Sequence, residues 1–222
     1  MAARCEAEAV SSRPPTAPQP AATRLQRELA EPHLARRPTA LDAFRLARRH
    51  FHAGQRIDMS ALAEEVGVNR ATLYRWVGSR DQLLIEIAWS RTILTLEYLD
   101  RGLDATGAER IVRIVSGYID EVINDAGTRR WLSEEGESAM RLLTRRDPAR
   151  HDTDFQPRLQ GAILALLQEE TEAGRLALPV ELNQLAYVLV RLIESYVYLD
   201  LITGEQPQAE QAEPILRLLL ER

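Results

Sequence analysis

Arg70, Ala71, Thr72, Tyr74 and Arg75 fall within six residues that hold no acid. Two guanidinium groups, a hydroxyl and a phenol so close together suit a polyanion. Guanidinium pairs with phosphate or with the edge of guanine through two parallel hydrogen bonds, and an alanine methyl fits against the methyl of thymine. A merely solvated helix face would use the same residue types, because arginine is abundant throughout this chain.

The residues around that stretch must hold it in place. Leu73, Trp76 and Val77 share the opposite side of a helix expected over Arg70 to Val77, with Asn69 as its N-cap. Before it, Ser60 is suited to cap another short helix. Glu64 and Glu65 follow in its early turns, and Leu62, Ala63 and Val66 form its apolar stripe. Gly67 stands where that helix needs a left-handed C-terminal residue. A helix, a tight turn and a second helix form the pattern that sets its second member in a DNA major groove.

The run Gly67-Val68-Asn69-Arg70-Ala71-Thr72-Leu73-Tyr74-Arg75-Trp76-Val77-Gly78-Ser79-Arg80 with Leu83, preceded by Leu62-Ala63, resembles the N-terminal domain of the TetR family of repressors. That family's pattern is approximately G-V-S-x-x-T-x-Y-x-Y/H-F-x-S/N-K-x-x-L. Here Asn69 replaces Ser, Trp76 and Val77 replace the aromatic–Phe pair, and Arg80 replaces Lys. The resemblance implies an all-α protein, with a three-helix reading head on a helical ligand-binding and dimerisation body. It implies a homodimer on a palindromic double-stranded DNA operator, and a small hydrophobic effector that releases it. With recognition helices about 34 Å apart, Arg70, Ala71 and Thr72 would read bases. Ser60, Asn69, Tyr74, Arg75 and Arg80 would grip phosphates.

Composition agrees with such a division. The 222 residues carry a net charge of −5, and every strongly basic residue is arginine. Residues 36–91 hold ten arginines against six acids, whereas residues 92–222 hold fourteen against twenty-three. A basic head before an acidic body fits a polyanionic partner on one end only. No apolar run approaches the roughly 18 residues of a membrane span, no secretory h-region is evident, and the single Cys5 fits a reducing, cytoplasmic location.

Along the chain, residues 1–37 are Pro- and Ala-rich and read as a disordered extension, with a short helix over Leu25 to Leu34. Residues 38–84 form the expected head. Its first helix runs from Ala40 to about Ala53, capped by Thr39, with Phe44, Ala47 and Phe51 inward and Arg45, Arg48 and Arg49 outward. A long helix from Arg80 to about Arg101 leads into the body, residues 85–222. There Ile111 to Ile123 form a broad apolar helix bounded by Gly107 and Gly127, and further helices centre on Trp131–Leu143 and Leu159–Leu167. The last long helix, about 181–203, is apolar on two sides. Together with Pro214–Leu220 it is expected to supply half of a four-helix dimer interface. The stretch holding Arg191, Glu194, Tyr198, Asp200, Gly204 and Pro207 also resembles the C-terminal region of the QsdR-type subgroup of that family, regulators linked to lactone catabolism.

An effector pocket would draw on Trp89, Tyr98, Tyr118, Trp131, Met140, Phe155 and Tyr198, all of which also suit plain core positions. Metal binding is disfavoured. His50 and His52 point to different sides of their helix, and the loop acids Asp147, Asp152 and Asp154, with His151, are interleaved with arginines. No cofactor signature, nucleophile elbow or phosphate loop is present. A helical enzyme, or an adaptor in which the two-helix motif only packs, is the alternative to a ligand-responsive regulator.

Overall fold

A computed structural model describes residues 37–146 and 153–221, and these are helical throughout their regular elements. Helix α1 spans Ala40–His52, α2 Met59–Val66 and α3 Arg70–Val77. Thr39 caps α1 reciprocally with Asp42. The expected cap of α2 is corrected: Asp58, not Ser60, accepts the N–H groups of Ser60 and Ala61, both at 2.8 Å. A carboxylate one residue before the helix satisfies two end donors at once, which the Ser60 hydroxyl, already inside the first turn, does not. Gly67 ends α2 at φ 79°, a left-handed residue that costs little only for glycine. Asn69 then caps α3 through Thr72 N–H at 2.8 Å. Leu46, Phe51, Leu62, Leu73 and Leu83 close the core of the three-helix head.

Helix α4, Arg80–Arg101, is 22 residues long and so extends about 33 Å, far enough to run from the head through the body. It starts at a reciprocal cap between Ser79 and Gln82. The body adds α5 (Gly107–Asn124), α6 (Ala126–Thr144), α7 (Phe155–Glu172), α8 (Leu182–Val197), a short α9 (Leu199–Thr203) and α10 (Ala212–Leu220). Helix α5 is the central member, with Ile111, Val112, Ile114, Val115 and Ile119 sealed from solvent. Its N-terminus is tied by Glu170, whose carboxylate accepts from Gly107 N–H, Arg110 and Arg175. These donors, Arg175 foremost, hold that buried carboxyl down at about 2.

Two expectations change. Gly127 does not bound α5; Asp125 caps α6 through Thr128, and Gly127 lies within the first turn of α6. The helix expected over 181–203 breaks at Tyr198, leaving α8 and α9. Helix α8 packs chiefly against α7, and α10 chiefly against α5. The extension expected over residues 1–37 lies, but for Arg37, outside the described residues, as does most of the acidic loop. Pro38–Arg222 cluster as one compact unit, and among the described residues no helix is long and apolar enough to cross a membrane.

Candidate nucleic-acid interface and its link to the body

The two-helix motif presents α3 as an outward ridge. Leu73 is fully buried and Trp76 and Val77 are half-buried, which fixes the rotation of the helix. That rotation leaves Arg70, Ala71, Tyr74 and Arg75 exposed and Thr72 half-exposed on one continuous surface. Arg70 and Arg75 form no ion pair among the described residues, although the charge of Arg70 reaches Asp58. In the body most arginines are in ion pairs, including Arg110 with Glu170, Arg158 with Glu86, and Arg217 with Glu109. Cations left unpaired on an exposed ridge keep their full attraction for an external anion. Asn69 is exposed but spends its side-chain oxygen on the cap, and Ser60 lies exposed on the first turn of α2.

Arg80 is placed differently from the phosphate role expected of it. Its guanidinium donates to both oxygens of Glu135, at 2.8 and 2.5 Å, and its Nε donates to the Ile57 carbonyl at 2.9 Å. Arg56 stands 3.5 Å from the same carboxylate. The hydrogen bonds from Arg80, with the charge of Arg56 behind them, hold the Glu135 carboxyl below its usual range against the opposing effect of burial. Glu135 sits at a break inside α6, with φ −128° and ψ 24°. This side chain therefore joins body to head.

Two more residues of α6, each a turn earlier, face the head. Trp131 meets Phe51 edge-on with ring centres 5.6 Å apart. A Cβ on Gly127 would stand 2.7 Å from the Phe51 carbonyl oxygen, so glycine is what lets α6 approach the end of α1. Gly127, Trp131 and Glu135 thus form one stripe along the seam.

Trp131 also lines a cavity of about 40 Å³ inside the body, with Thr92, Tyr118, Val122, Phe155 and Val197 among its other walls. The Tyr118 hydroxyl is 2.9 Å from Thr92 Oγ1, and burial pushes the phenol up to about 12. Of the seven residues expected at a pocket, Tyr118, Trp131 and Phe155 meet here. Tyr98 does not: it is 70 % exposed, on the solvent side of α4. Trp89 lies outside the wall, edge-on to Phe155 at 6.4 Å and under the Arg158 guanidinium at 4.5 Å. Met140 packs at the core margin, and Tyr198 is buried near Glu194 and Tyr118 without lining the cavity. Thr92, Thr95 and Thr128 were missed; Thr92 and Thr95 interrupt the apolar side of α4, a signal that was available in the sequence. Among the described residues no group of three potential metal ligands occurs.

An arginine-bearing helix-turn-helix on a long lever, mounted on a helical body with an internal cavity, defines the class of one-chain, ligand-responsive transcriptional regulators. Residues 106–221 match the family described as the tetracyclin repressor-like C-terminal domain. The chain belongs to the TetR family of transcriptional regulators. It is similar to the TetR-family transcriptional repressor QsdR of R. erythropolis, with 28 % identity, a TM-score of 0.72, and coverage of 82 % of this chain and 93 % of that one. FadR of Bacillus subtilis, solved with stearoyl-CoA, shares the fold at 15 % identity and a TM-score of 0.56, over 82 % of this chain and 97 % of that one. No curated protein sequence matches the chain at a significant level.

Proposed function

We propose that this regulator is a cytoplasmic repressor that binds a palindromic operator as a homodimer and leaves it when a small effector enters the body. The observation that carries the DNA-reading part is the exposed ridge of α3, where Arg70 and Arg75 form no ion pair among the described residues. Arg70, Ala71 and Thr72 face base edges in this reading, while Ser60, Tyr74 and Arg75 meet phosphates.

The dimer surface is the α7–α8 pair. Gly161 and Ala165 are exposed one turn apart on α7, and Tyr187 and Val188 are 38 % and 40 % exposed on α8. Small residues on one helix beside apolar ones on the next let two copies approach closely into a four-helix bundle. Val188→Glu should convert the protein to monomer by light scattering and abolish operator binding.

Effector occupancy acts through the Trp131 cavity. About 40 Å³ accommodates a water or two, so a ligand must part α4 from α5 and α6. The Gly127–Trp131–Glu135 stripe would carry that displacement to the head, because it touches α1 and the start of α4.

The test is binding of the purified protein to its own upstream intergenic DNA and to random DNA across a salt series. Selective binding whose affinity falls steeply with salt supports the reading. Equal, weak binding to both at every salt concentration would favour a helical enzyme or adaptor.

A further inference from the structure

Beside the cavity, on the outer side of the body, lies an open groove of about 290 Å³ lined by Arg48, His52, Arg91, Leu94, Thr95 and Tyr98. Arg91 and Thr95 line both spaces, so they form the wall between them. The chemistry of the groove is lopsided. Among the described residues Arg48 has no ion pair, no carboxylate lines the groove, and the only ion pair of Arg91 is with Asp125, at 2.9 Å. Leu94 and Tyr98, 53 % and 70 % exposed, add large apolar surface to the same rim. Positive charge beside exposed apolar surface, separated from an apolar interior by Arg91 and Thr95, is the complement of an anion carrying a hydrocarbon chain.

We propose that this groove is the entry and head-group site of the effector, and that the effector is an anionic amphiphile. Arg48 and Arg91 hold its carboxylate or phosphate, and the chain enters the cavity past Thr95. The inference rests on the cavity reading above and adds the ligand's chemical class. Burial foremost, then the charges of Arg91 and Arg48, depress the His52 imidazole against the pull of Asp125. Because Arg48 and His52 belong to α1 and Arg91 to α4, a bound head group would bridge the first helix of the head to the lever.

Three ten-carbon probes test it on the full-length protein by calorimetry: decanoate, decyl phosphate and uncharged decan-1-ol. At least one anion should bind about tenfold or more tighter than the alcohol, the loss expected of a charge-assisted contact. Whichever anion binds tighter identifies the head group. Arg48→Gln, at a half-buried residue with no ion pair to break among the described residues, should remove that preference while leaving alcohol binding alone. Ala88→Leu, which fills the cavity, should weaken all three. Anion preference that survives Arg48→Gln, equal affinity for anion and alcohol, or no binding of any probe would overturn the proposal. Anion binding that survives Ala88→Leu yet is lost in Arg48→Gln would uphold the groove while removing the cavity as the effector site.

Discussion

Arg80 and Glu135, 55 residues apart, face each other through two parallel hydrogen bonds across the seam of head and body. The pair is largely shielded, with side chains 24 % and 18 % exposed, and the Ile57 carbonyl takes up the remaining donor edge. The geometry assigns Arg80 to internal positioning, at a position where the family resemblance implied a phosphate contact.

Removing either partner should cost about 1.5–3 kcal/mol of stability in urea titrations, the range for hydrogen bonds to charged groups. A double-mutant cycle of Arg80→Ala with Glu135→Ala should return a coupling energy above about 0.5 kcal/mol. The salt dependence of DNA binding separates the two roles of Arg80. A positioning residue leaves the slope of log K against log salt unchanged, whereas loss of a phosphate contact flattens it by about one per arginine.

Arg70→Ala should cost about 1–3 kcal/mol on the preferred operator and relax base preference at one position of each half-site. Arg75→Ala should instead weaken all sequences alike and flatten the salt slope. Competition assays on a library of half-sites distinguish the two, and an equal loss on operator and random DNA would remove Arg70 from base reading.

Gly127→Ala sets a methyl against the Phe51 carbonyl oxygen at 2.7 Å, a backbone atom that cannot swing away. The expected cost is about 1–3 kcal/mol, seen as a lower Tm. Gly117→Ala meets only a Leu99 methyl at 2.9 Å, which rotates aside, and should cost less.

Glu194 is largely buried on α8 beside Arg191, at 2.8 Å, and burial outweighs that pairing and lifts its carboxyl to about 7. A carboxyl raised in the folded state binds more protons there than in the unfolded chain. Its penalty on stability is therefore absent below the ordinary carboxylate range, grows as pH rises through it, and is complete above about 7. Relative to Glu194→Gln, the native protein should lose about 1–2 kcal/mol between pH 4 and 8 after allowance for solvent screening. Parallel curves for the two proteins would contradict this.

The head was legible because its signals are local. Gly67, Asn69 and the stripe of Leu73, Trp76 and Val77 each act within one or two turns, so sequence spacing alone places Arg70 and Arg75 outward. The choice of Ser60 over Asp58 as cap failed because either residue type serves, and only the start of the helix decides. In the body, periodicity found the helices but not their neighbours. Nothing in the local pattern pairs Glu135 with Arg80, or tells the buried Tyr118 from the exposed Tyr98. The glycine at 127 was legible as a glycine, yet its reason lies in the backbone of α1.

The seam also limits how such proteins recombine. A chimera that joins this reading head, cut after Leu84, to another regulator's body would carry Arg80 and Arg56 without Glu135 and set the end of α1 against a helix lacking Gly127. Two like charges would then share an unfilled acceptor site, and the graft would bind DNA with a lever no longer registered to its sensor. A transplantable unit must therefore take the stripe on α6 with it, so the exchangeable segment is not a continuous one in sequence.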